Sequence, residues 1–89
     1  MKVIISPRAE KKLRHLSKID QIAIANKIRS IKNISAEVFG EEKLSGFKNI
    51  FRVRIGNYRI VYKKTIGNIY IVLIGHRRDI YQLVKQLFG

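Results

Sequence analysis

Hydrophobic and polar positions alternate with two different periods along this chain, and the change of period divides it into helices and strands. Lys2 to Ile5 is a short apolar strand closed by Ser6-Pro7, a good N-cap followed by a residue suited to the first helical position. The spacing predicts a helix from about Pro7 to Leu16, with Ala9, Leu13 and Leu16 inward and Lys11, Lys12 and Arg14 solvated. Asp20 is a second cap candidate. Ile24, Ile28 and Ile31 recur at helical spacing and predict another amphipathic helix, antiparallel to the first, that fades near Asn33. Ser35 to Lys48, with Gly40, Gly46 and three glutamates, reads as the connecting loop.

From Ile50 the period becomes two. IFRVRIGNYRIVY, Ile50 to Tyr62, is two β-branched and aromatic runs joined by Gly56-Asn57, a two-residue hairpin signal. Ile55 then pairs with Tyr58, Arg54 with Arg59, Val53 with Ile60 and Arg52 with Val61, so Arg52, Arg54 and Arg59 share one sheet face. Arg54 and Arg59 become like charges across the ladder, which costs a sheet roughly 0.2–1 kcal/mol unless an anion lies between them. A second Gly-Asn, Gly67-Asn68, follows Thr65 and precedes the apolar run IYIVLIGH. A two-residue loop there pairs Ile66 with Ile69, Val61 with Ile74 and Arg59 with His76, which brings His76 to the arginine face.

On that register Phe51, Val53, Ile55, Ile60 and Leu73 face the two long helices. Val61, Val72 and Ile74 form an apolar floor behind the cationic rim, to be covered by a C-terminal helix or by a partner segment. Ile80, Leu83, Val84, Leu87 and Phe88 predict that helix, starting near Asp79. The fold class is α+β, in the order β-α-α-β-β-β-α, with an antiparallel sheet packed on a two-helix hairpin. Residues 1–89 form one domain, without repeat or linker.

Charge turns this scaffold toward polyanions. The chain carries 19 Lys+Arg against 6 Asp+Glu, a formal net charge of +13, which ranks nucleic acid first among partners, then an acidic protein. Cysteine is absent, so disulfides and thiolate metal sites are excluded. No apolar run approaches a membrane span or a secretory h-region, so the expectation is a cytoplasmic protein without membrane partners.

Between Lys43 and Arg78 there is no Asp or Glu, so the sheet has no clustered carboxylates for the divalent ions of metal-dependent nucleases. Serine-triad and cysteine-protease chemistry lack their partners too. What remains is Arg52, Arg54, Arg59, His76, Arg77 and Tyr81, a set able to act on a phosphodiester without metal or cofactor. RNA allows this, because its 2′-hydroxyl is a nucleophile already beside the scissile phosphate. Guanidinium groups bind phosphate oxygens bidentately but carry protons poorly, and His76 is the one residue of the set that titrates near neutrality.

The KLSGF segment, the RVRIGNYRIVY block and the GHRRDIY ending, in this order of elements, resemble toxins of the RelE/ParE superfamily, closest to the RelE-type ribosome-dependent mRNA interferases. The resemblance spans nearly the whole chain. It implies an endoribonuclease that cuts mRNA in the ribosomal A site, with rRNA contacts, a RelB-like antitoxin as partner and no cofactor. The active groups of RelE-type members match Arg52, Arg54, Arg59, Arg77 and Tyr81 here. Two of these, Arg52 and Arg54, are lysines in the RelE pattern, so the usual proton acceptor is replaced. Either His76 takes over proton transfer, or a loop glutamate such as Glu42 reaches in. The candidate catalytic residues are therefore Arg54, Arg59, His76, Arg77 and Tyr81, with Arg52, Lys63 and Arg78 binding RNA and no metal ligand. Two other functions fit the same sequence. One is a ParE-like binder that poisons DNA gyrase, favoured if His76 points away from the arginines; the other is a non-catalytic nucleic-acid-binding module.

Overall fold

The computed structural model describes residues 2–32 and 40–88. The expected loop from Ser35 is thus seen only from Gly40 onward, and residues 33–39 lie outside the described residues.

The first strand, β1 (Lys2–Ile5), runs into α1 (Pro7–Arg14) through Ser6, whose Oγ accepts from the Ala9 N–H at 3.0 Å. The same hydroxyl donates to the Val72 carbonyl at 3.0 Å, which ties the helix start to the last strand. Helix α1 ends at Arg14, two residues before the expected Leu16. Helix α2 (Lys18–Lys32) is capped by Ser17 rather than Asp20: the Ser17 Oγ accepts from the Asp20 N–H at 3.3 Å. Serine three residues upstream satisfies that donor, and Asp20 falls in the first turn, where its charge suits the helix dipole.

Four further strands follow: β2 (Glu42–Lys43), β3 (Ile50–Ile55), β4 (Tyr58–Thr65) and β5 (Asn68–His76), then α3 (Ile80–Phe88). The sheet order is β1-β5-β4-β3-β2. The meander is antiparallel as expected, but β1 lies parallel to β5 at one edge and the short β2 forms the other, so the sheet is mixed. Helices α1 and α2 cover one face, where Ala9, Ile24, Ile28 and Ile31 meet Val53, Ile60, Tyr62, Ile69, Ile71 and Ile74. Helix α3 covers the other, where Ile80 and Val84 meet Ile50, Val61 and Leu73. Each fully buried isoleucine contributes roughly 1.5–3 kcal/mol.

The first hairpin has the expected register, Ile55↔Tyr58 to Arg52↔Val61. Gly56, at φ 57 in the first loop position, supplies the backbone that a type II′ turn requires. The second hairpin differs. Its loop is Ile66-Gly67, with Thr65 opposite Asn68, and Gly67 takes φ 83 in the second loop position. This displaces the pairing by two positions, so Lys64 rather than Ile66 opposes Ile69, and an even shift leaves every face unchanged. A β-bulge then adds an odd one. Tyr62 pairs with Ile71 and Val61 with Leu73, which leaves Val72 as the extra residue. Beyond the bulge the faces exchange. Ile74 joins the helix-hairpin side, Leu73 joins the floor under α3, and the floor is Val61, Val72 and Leu73 rather than Val61, Val72 and Ile74.

An unanticipated latch fastens β2. The buried Tyr62 hydroxyl donates to the Glu41 carboxylate, Lys64 Nζ lies 2.7 Å from the same carboxylate, and Lys64 sits 4.6 Å above the Phe51 ring. Burial, then the hydrogen bond to Glu41 and the charge of that carboxylate, hold the Tyr62 phenol well above its usual value of 10.0. A group whose folded pKa is raised contributes stability that is complete below its unfolded pKa and is lost above it. The melting temperature is therefore expected to hold to about pH 10 and fall beyond it, and Tyr62→Phe should flatten that alkaline limb. Melts of both proteins across this range check the assignment.

Candidate nucleic-acid interface

The hairpin register fixes the centre of the site. Arg59 stands between Arg54 on β3 and Gly75 on β5, and Glu42 on β2 stands opposite Arg52. Glu41, just before β2, and Glu42, its first residue, take different partners: Glu41 joins the latch, and Glu42 forms an ion pair with Arg52.

Arg59 is 7% exposed, although its neighbours in the cluster are cations. Its Nη1 donates to the carbonyls of Tyr58 at 2.9 Å and Gly56 at 3.3 Å, which anchors the guanidinium over the first turn. Burial lowers its pKa from the ordinary arginine value, and the charges of Arg54, Arg52 and Arg77 lower it further, while the Tyr81 phenol acts in the opposite sense. Four side chains from three elements thus converge electrostatically on one fixed guanidinium. Arg54 and Arg77 are exposed, and Tyr81 is 51% exposed in the first turn of α3. Arg77 is held from its backbone, whose N–H donates to Asn57 O at 2.8 Å, so the residue after β5 is tied to the first hairpin turn.

His76 is not in this group. It pairs with Tyr58, on the helix-hairpin side of the sheet, and its ring meets the Tyr58 ring edge-on at 5.7 Å. Its Nδ1 accepts from the Arg78 N–H at 3.2 Å, which selects the Nε2–H tautomer and makes the ring a cap for the turn into α3. The bulge is the physical reason, because it exchanges Gly75 for His76 beside Arg59. Lys63 lies on the arginine side of β4, exposed, and Arg78 is exposed in the turn after β5.

The cluster can clamp a phosphodiester and neutralise charge that develops on its oxygens. Among the described residues no three His, Asp or Glu side chains gather to hold a metal ion. Sequence reasoning missed the burial of Arg59 and the glycine beside it; the signal for the second was a glycine two residues before Arg77, in a strand that otherwise reads as apolar.

Residues 3–81 match a family model described as the ParE toxin of a type II toxin-antitoxin system, parDE. Among curated proteins none matches in sequence. Among solved structures the chain is similar to the RelB-RelE antitoxin-toxin complex from Methanococcus jannaschii, at 24% identity and a TM-score of 0.74, over 90% of this chain and 96% of that one. It is also similar to the archaeal RelE-RelB complex from Pyrococcus horikoshii OT3, at 26% identity and a TM-score of 0.69, over 85% and 93%. The isolated E. coli RelE toxin superposes at a TM-score of 0.68 with 20% identity, over 97% of each chain. The matched family model covers the meander, the arginines and the start of α3, and the chain belongs to the ParE toxin family of type II toxin-antitoxin systems, within the RelE/ParE superfamily.

Proposed function

We propose that this toxin is an endoribonuclease that cuts mRNA in the ribosomal A site without metal, by attack of the RNA 2′-hydroxyl, and that a RelB-like antitoxin neutralises it. The carrying observation is the buried, backbone-anchored Arg59 with Arg52, Arg54, Arg77 and Tyr81 around it on one open face. Arg54 and Arg59 hold the scissile phosphate, and Arg77 adds charge stabilisation as the pentacoordinate state forms. Arg52, Lys63 and Arg78 hold flanking phosphates. The bond from O2′ to phosphorus forms as the bond from phosphorus to O5′ breaks. The 2′-hydroxyl proton passes to Glu42, whose exposed carboxylate exchanges its contact with Arg52 when Arg52 takes a phosphate. Water on the open face protonates the departing O5′. Tyr81 stacks on a base of the strand. The same cationic face, +13 in net charge for the chain, supports an acidic antitoxin segment as its inhibitor in the cytoplasm.

The experiment is induced expression followed by mapping of mRNA 5′ ends and analysis of the product termini. Cyclic 2′,3′-phosphate and 5′-hydroxyl ends are expected, whereas 3′-hydroxyl and 5′-phosphate ends would overturn the mechanism. A second reading, a gyrase poison, is favoured by His76 facing away from the arginines and by the ParE description of the matching family model. It requires broken DNA with intact messages.

A further inference from the structure

Beside the arginine cluster, and sharing Tyr81 with it, the structure holds a groove of about 750 Å³ whose other lining residues the proposed chemistry does not use. We infer that this groove, between the Leu44 to Phe47 turn and α3, receives one unpaired RNA base next to the scissile phosphate; the inference rests on reading the arginine face as an RNA site. Tyr81 joins the two places, since it lines the groove and also acts electrostatically on Arg59. A strand whose phosphate lies on Arg54 and Arg59 therefore passes Tyr81 on its way into the groove.

The lining suits a base in particular. Leu44, Phe47 and Val84 give an apolar bed for a flat ring, and Ser45, Gln82 and Lys85 stand at its border. A hydroxyl and a carboxamide meet the donors and acceptors on a base edge, and the ammonium meets the next phosphate. An apolar peptide face in the same place would offer Gln82 and Lys85 no polar partners, whereas a base edge and its phosphate do.

Both walls are fixed. On one side the Leu44 N–H donates to Ile50 O at 2.9 Å and Gly46 turns the chain at φ 85, while the Phe47 ring lies 5.7 Å from that of Phe88. On the other, α3 sits flush on β5 because residue 75 is glycine: a Cβ there would come within 3.1 Å of the Ile80 Cδ1 and 3.3 Å of the Leu83 Cδ1. A site of preset width is the kind that reads a ring by stacking.

The test titrates isotope-labelled full-length toxin with two trinucleotides that cannot be cut, both 2′-O-methylated, one carrying all its bases and one abasic at the central position. The intact trinucleotide is expected to move the Arg54 and Arg59 signals together with the Phe47 ring and the Gln82 side-chain amide. The abasic one should move the arginines alone and bind about 5- to 150-fold more weakly, the range of one base stacked on an aromatic group. Ser45→Trp, a change at an exposed position that fills the groove, should bring the intact trinucleotide down to the abasic affinity. Equal binding of the two trinucleotides by the wild type, or unchanged binding by Ser45→Trp, would overturn the inference and leave the arginine site standing. Groove signals that move with protein concentration alone would assign the groove to a second copy of the chain and overturn it as well. If neither trinucleotide moves the arginine signals, the RNA-site reading itself fails.

Discussion

Arg59→Ala is expected to fold and to cleave about 10²- to 10³-fold more slowly in single turnover, the usual cost of deleting one preorganised charge-stabilising donor. The two halves of that result come from one arrangement. Arg59 is already desolvated and anchored on Gly56 and Tyr58, so little reorganisation is needed when the phosphate charge develops. The same position places it opposite Arg54 and within the field of Arg52 and Arg77, so truncation relieves repulsion as it removes packing. The freed carbonyls lie at the turn, within reach of water. A melting temperature at or near the wild-type value, measured beside the cleavage rate, separates loss of chemistry from loss of fold. A folded variant with near-normal cleavage would remove Arg59 from the mechanism.

Glu42→Gln is expected to slow cleavage by about 10²- to 10⁴-fold, the contribution of a general base, without loosening β2. The amide keeps an oxygen for Arg52, and the strand remains latched through Glu41, Tyr62 and Lys64. What disappears is the proton acceptor. The wild-type rate should rise with pH as the carboxylate ionises and then level, while the variant should climb with hydroxide throughout. His76→Ala is the matching control: its ring faces Tyr58 and caps the turn before α3, so the rate and its pH profile should change little. A profile flattened by His76→Ala and untouched by Glu42→Gln would reverse the two assignments.

Much of this architecture was legible in the sequence because the signals were local. Ser6-Pro7 marked a helix start, and Gly56-Asn57 between β-branched runs fixed the register that unites Arg52, Arg54 and Arg59. Arg77 and Tyr81 joined them as expected. The second hairpin was misread for a physical reason: IYIVLI is apolar on both faces, so its pattern does not choose a register, and Gly67 serves the loop equally well as its first or second residue. A bulge has no sequence signature of its own. Here its carbonyl is held by Ser6, 66 positions earlier in the chain, a contact that periodicity cannot foresee. The pairing of Glu42 with Arg52 depended in turn on a two-residue strand inside what reads as loop, too short for alternation to reveal.

The bulge at Val72 also acts as one residue of slack stored inside the sheet. Losing a single residue anywhere from Val72 to Ile74 would let β5 close into a regular ladder, with Arg59 still opposite Gly75 and Tyr58 still opposite His76. Gaining one has no such reserve and must slip the strand or create a second bulge. Length variation among relatives should therefore run asymmetrically at this point, shorter strands keeping the arginine site intact. An alignment that moves the gap out to the Ile66-Gly67 loop would shift Asn68 to Ile71 by one residue and exchange the two faces of that stretch, while leaving Gly75 and His76 in place.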